Sequence, residues 1–101
     1  MTYYQLLRQR RISLNLTIED VSSQTRLDPN FIRAIEEHNL DVFSNDYSFV
    51  RYFIHAYCDA IGVNWVVIQP EVDQDIHNFA RSKNQALTQA QKKIASSMHP
   101  A

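Results

Sequence analysis

The residues best equipped for chemistry in this 101-residue chain suit recognition. Asn30 and Arg33 are base-edge readers by type, since arginine pairs with guanine and asparagine with adenine. Arg8 and Arg26 are cations that suit phosphate contact. A second group is aromatic. Tyr47, Phe49, Tyr52, Phe53 and Tyr57 fall within eleven residues, interleaved with Arg51 and His55. Aromatics combined with arginine are the usual anchors of protein interfaces.

Covalent and metal chemistry find little support. His38, His55, His77 and His99 show no metal-ligand spacing, and no metal or cofactor is expected. Cys58 is the single cysteine, so no intrachain disulfide can form, and it reads as a half-buried structural thiol. One glycine cannot build a Gly-rich phosphate loop. Glu36 and Glu37 are adjacent and leave a helix in different directions, which is a poor start for paired-carboxylate catalysis. The expectation is a binding protein and not an enzyme.

The elements that must position these groups are helical. Glycine occurs once and proline three times, and apolar residues recur at three- and four-residue steps. A first helix is predicted over Thr2–Leu14, with Tyr4, Leu7, Arg11 and Leu14 on one face and Asn15 as its left-handed stop. Thr17 caps a second helix, with Asp20 as the return arm of a capping box, and Ile18 and Val21 face inward. The chain turns at Thr25 to Leu27. Asp28 and Pro29 then open a third helix, whose buried face is Phe31, Ile32 and Ile35. Thr17 to Glu37 therefore reads as a helix-turn-helix. A fourth helix is predicted over Asp46–Ile61, capped by Ser44 or Asn45 and stopped by Gly62. Its stripe of Val50, Phe53, Tyr57 and Ile61 is too narrow for every aromatic, so some aromatic surface stays exposed. A short fifth helix capped by Asn64 is predicted to end near Pro70. A separate, weakly packed helix follows from about Gln74 to Ser96.

Charge divides the chain. Residues 1–75 carry six bases and all 11 acids, whereas residues 76–101 carry Arg81, Lys83, Lys92 and Lys93 and no acid. The reading is a folded domain over 1–75 and a basic polar tail over 76–101. The opening MTYYQLLRQRR lacks the apolar core of a signal peptide. No run of about 18 apolar residues marks a membrane span, and the lone cysteine suits a reducing compartment.

The stretch LLRQRRISLNLTIEDVSSQTRLDPNFIRAIEEHNLDVF, followed by YSFVRYFIHAYCDAIGV, resembles the N-terminal cytoplasmic domain of RodZ proteins. That domain is a branch of the Xre/Cro-type helix-turn-helix family. The resemblance spans roughly residues 5–70. The Leu-Arg-x-x-Arg and Leu-Thr-x-Glu-x-Val patterns are shared across Xre domains. Thr-Arg-Leu at the turn and Phe-x-Arg-x-Phe-Ile-x-x-Tyr in the fourth helix are more particular to the RodZ-like branch. The resemblance implies an all-α, five-helix, lambda-repressor-like domain. It also implies a bacterial cell-shape adaptor that binds the actin-like protein MreB through its fourth helix, here Arg51, Tyr52, Phe53, His55 and Tyr57. A cytoplasmic location ahead of a single inner-membrane span outside this chain is implied as well, and the basic tail suits such a flank. The family pattern further suggests an ion pair between Arg11 and Glu36. Ser22 and Tyr52 depart from it, standing where the family usually carries alanine and glycine.

The alternative implied by the wider family is a DNA-binding regulator. Its base-reading positions correspond to Asp28, Pro29, Asn30, Arg33, Ala34 and Glu37, with Arg26 and Arg8 in support. Residues 17–38 hold two bases against five acids. Phosphate neutralisation dominates DNA affinity, so this balance disfavours the alternative. Xre repressors usually carry glycine where Arg26 stands, and RodZ-like domains tolerate lysine or arginine there. A third option is a homodimer burying Tyr52 and Phe53.

Overall fold

The computed structural model describes residues 1–43 and 48–98, with side chains described as far as residue 82. It is all-helical: α1 (Tyr3–Ser13), α2 (Ile18–Thr25), α3 (Pro29–Glu36), α4 (Ser48–Ile61) and α5 (Trp65–Met98), with a 3-10 turn over Leu40–Phe43 between α3 and α4. Among the described residues there is no strand.

Local chemistry sets the helix ends. Thr17 Oγ1 accepts from the Asp20 amide at 3.0 Å, and Asp20 Oδ2 accepts from the Thr17 amide at 2.8 Å. Both arms of the predicted box are therefore closed. Thr2 and Gln5 form an equivalent box at the start of α1. Asp28 caps the Asn30 amide at 2.8 Å with Pro29 at the first helical position. Three helices end by one device. Asn15, His38 and Gly62 adopt φ of 56°, 58° and 73°. The next amide in each case (Leu16, Asn39, Val63) donates five residues back, to Arg11, Ala34 and Cys58 carbonyls. Arg26 ends α2 in the left-handed region with φ 61°, at the position where Xre repressors usually carry glycine.

The core draws on every helix. Leu7, Val21, Ile32, Ile35, Ile54 and Val72 are each fully buried. A fully buried aliphatic side chain contributes about 2 kcal/mol, against about 1 kcal/mol for a cap. Packing thus holds the fold together, while the caps fix where each helix begins. Two predicted inward positions shift. Tyr3, not Tyr4, is the buried tyrosine of α1, at 1% exposure, and Leu14 lies outside. Leu14 is the C-cap residue, where the chain is already turning away toward left-handed Asn15.

The predicted break at Pro70 is corrected. Trp65–Met98 is one 34-residue helix with Pro70 inside it. A proline inside a helix forfeits its bond to the carbonyl four residues back, here Val66, and its ring crowds that carbonyl. Both Pro70 and Val66 are exposed, so the disturbance falls on the solvent side of the helix. Ile68 and Val72 flank the proline and are both buried, which pins the turns on either side of it. The charge boundary at residue 75 falls inside this helix, and Ile76, Phe79 and Ala80 still pack against the core. Among the described residues no helix is long and apolar enough to cross a membrane. The start of the fourth helix at Asp46, its Ser44 or Asn45 cap and the place of Tyr47 lie outside the described residues.

Removing the α2 cap has a defined cost. Thr17→Ala is expected to lower the free energy of unfolding by about 1 kcal/mol in urea denaturation.

Candidate interaction site

The interior is organised around one carboxylate. Glu36 is the last residue of α3. Arg11 of α1 grips it with two bonds, Nε to Oε2 at 2.7 Å and Nη2 to Oε1 at 2.8 Å. Arg11 Nη1 also donates to the Leu16 carbonyl at 2.9 Å. The Tyr57 hydroxyl of α4 donates to Glu36 Oε2. The two charged side chains are only 12% and 6% exposed. The expected pair is therefore present, and Tyr57 is a third member that sequence reasoning missed. Its hydroxyl is pushed above the ordinary phenol range, first by burial and then by its bond to the carboxylate, so it remains a donor.

This arrangement removes Tyr57 from the predicted partner-binding set. It is fully buried, with its polar end committed to Glu36. The fourth-helix stripe that placed it inward was the better guide. Cys58 is also fully buried, more so than the half-buried thiol expected. Burial pushes its thiol up to about 12, with the nearby Asp59 charge adding to the effect.

The outer side of α4 divides into two parts. Phe49 and Tyr52 are 55% and 71% exposed. Phe53 is half-buried, with its ring 6.2 Å from Phe49, 5.5 Å from Phe31 and 5.7 Å from Phe43. A ladder of aromatic rings thus leads from the interior to exposed Phe49, and Tyr52 is exposed three residues further along α4. Arg51 and His55 face α5 instead. Arg51 Nε lies 2.8 Å from Asp73 Oδ1, and its guanidinium sits 5.3 Å from the Trp65 ring centre. His55 stacks on Trp65 at 4.7 Å, nearly parallel. Asp73 also accepts from Gln69. The four-residue spacing of Arg51 and His55 does bring them together, but on a shared ring that belongs to the next helix. Nothing local to α4 could have revealed Trp65 or Asp73 as partners.

The predicted base readers lie on α1, at the end of α2 and on α3. Arg8, Arg26, Asn30 and Arg33 are all exposed. Arg33 Nη1 donates to Asn30 Oδ1 at 3.1 Å, so the two residues of α3 with base-reading chemistry engage each other. Glu19, Asp20, Asp28 and Glu37 are exposed around them. With Glu36 turned inward, four acids still outnumber Arg26 and Arg33 on that side. Ser22, in the turn-facing part of α2, donates to the Leu27 carbonyl and ties the turn down.

The model of a helix-turn-helix domain family matches residues 6–66, from α1 to the first turn of α5. No curated protein and no solved structure matches the chain.

Two outcomes follow from this geometry. Arg11→Ala strands the Glu36 carboxylate in the interior and is expected to cost about 3 kcal/mol of unfolding free energy in urea titration. Cys58 is expected to resist iodoacetamide at neutral pH until the chain unfolds. Because its folded pKa is raised, its contribution is intact below the ordinary thiol range of about 8.5. It is lost as pH climbs from there toward 12, so unfolding midpoints fall over that interval, and Cys58→Ala removes this part of the decline.

Proposed function

The chain belongs to a helix-turn-helix domain family, and from that premise we propose that it works as a RodZ-like protein-binding adaptor. Its partner is an actin-like filament protein of the MreB type, docked through α4. The observation that carries this reading is the exposed Phe49–Tyr52 pair on a helix whose other side is fixed in the core. Phe49 is already stacked on Phe53, and an aromatic held in place loses little freedom on binding, which raises the affinity its contact returns. Tyr52 stands where the RodZ-like pattern has glycine, so this chain presents more apolar area at that point than the pattern requires. Arg51 and His55, braced by Trp65, form the polar border of the same helix, while Phe53 supports Phe49.

The outer side of α3 supports the same reading. Asn30 and Arg33 are engaged with each other, and a surplus of acids meets any approaching phosphate backbone. The helix-turn-helix then serves as a scaffold that orients α4.

Co-sedimentation with MreB-type filaments tests the proposal. The double substitution Phe49→Ala, Tyr52→Ala is expected to weaken binding by about thirtyfold, the equivalent of one hot spot of about 2 kcal/mol. Arg33→Ala is expected to leave it unchanged. Filament binding indifferent to the double substitution would remove α4 from the interface. Tight, sequence-selective duplex binding abolished by Arg33→Ala would replace the adaptor with a DNA-binding regulator.

A further inference from the structure

Asp75, just past the middle of the packed part of α5, is held from two directions. Tyr3 of α1 donates its hydroxyl to Asp75 Oδ2 at 2.6 Å. His38, in the turn after α3, places Nε2 at 2.8 Å and 2.9 Å from the two carboxylate oxygens. The imidazole lies flat on Tyr4 at 4.2 Å and meets the edge of Phe79 at 5.3 Å. One turn earlier, Glu71 accepts from the Tyr3 amide at 3.2 Å. Three elements that are remote in sequence therefore meet at one carboxylate.

The His38 backbone is left-handed, with φ 58°, a conformation that persists in a side-chain-bearing residue when its surroundings over-determine it. Here the stacking on Tyr4 and the bond to Asp75 supply that constraint. The contacts of α5 also change character at this point. Ile68 and Val72 are inside the core. Beyond Asp75 the helix keeps only half-buried Ile76, Phe79 and Ala80, and then Arg81 and Ser82 are exposed. Asp75 is thus where firm burial gives way to partial cover.

We propose that Tyr3, His38 and Asp75 form a releasable clasp that holds the segment of α5 from Asp75 to Ala80 against α1 and the end of α3. When it opens, α5 separates from residue 75 onward while Ile68 and Val72 keep its first turns seated. Release uncovers Tyr4, Ile76 and Phe79 as one apolar surface. It also frees His38, so the end of α3 responds to the position of α5. Segments with few buried contacts open locally well below the cost of global unfolding. The clasp sets that local cost.

Amide hydrogen exchange on the full chain tests this, comparing wild type with Asp75→Asn and with His38→Gly. Glycine suits a positive φ, so His38→Gly deletes the clasp and spares the turn. Both variants are expected to exchange residues 76–82 roughly tenfold faster or more, with α2 and the centre of α4 unchanged, as sub-global opening requires. Unchanged exchange over 76–82 in either variant overturns the proposal, because the clasp would then hold nothing. Acceleration spread evenly through α1 to α5 overturns it as well, because Asp75 would then belong to the global core.

Discussion

The buried Glu36 carboxylate is the constraint on which the rest of the molecule depends. It closes α3 at the end where the helix dipole is negative, which disfavours an anion. Arg11 supplies the compensating charge with two bonds, and Tyr57 fills a further acceptor site. Replacing such a set by apolar groups can be neutral, but removing one member leaves an uncompensated charge inside. The set therefore acts less as a source of stability than as a fixture. It joins α1, α3 and α4, and through the Leu16 carbonyl it also holds the loop into α2. The relative placement of α3 and α4 follows from it.

That placement gives the domain two outward faces of opposite character. On α3, a short polar surface carries Asn30 and Arg33 bound to each other, with acids around them. On α4, an exposed tyrosine accompanies an exposed phenylalanine that rests on a ladder of rings reaching Phe31 and Phe43. The same buried tie that would steady a reading helix here steadies an aromatic one.

Much of the fold was legible in the sequence because its signals are local. A Thr17–Asp20 box, an Asp28-Pro29 start and stops at Asn15 and Gly62 are decided within a few residues of chain. The Ile32 and Ile35 stripe of α3 is equally local. What escaped depends on how helices cross. Whether Tyr3 or Tyr4 points inward is fixed by where α5 lies against α1, since Tyr3 reaches Glu71 and Asp75 there. Pro70 looked like a stop because its lost bond was visible and the pinning of Ile68 and Val72 was not. His38 ends α3 by the same local device as Asn15 and Gly62, but its ring is engaged by Tyr4 and by a carboxylate 37 residues away, which the sequence did not reveal. The candidate site divides along the same line. Exposed aromatics on the fourth helix follow from its excess of rings over stripe positions. The diversion of Arg51 and His55 onto Trp65, and of Tyr57 onto Glu36, required the tertiary structure.

The central claim is that α4, and not α3, is the working surface of this helix-turn-helix. Hydroxyl-radical footprinting of the chain bound to MreB-type filaments examines it most directly, because aromatic side chains report their own burial. The account predicts protection of Phe49 and Tyr52 with the outer side of α3 left reactive. Protection that instead covered the start of α3 around Pro29 and left Phe49 and Tyr52 as reactive as in the free chain would contradict it.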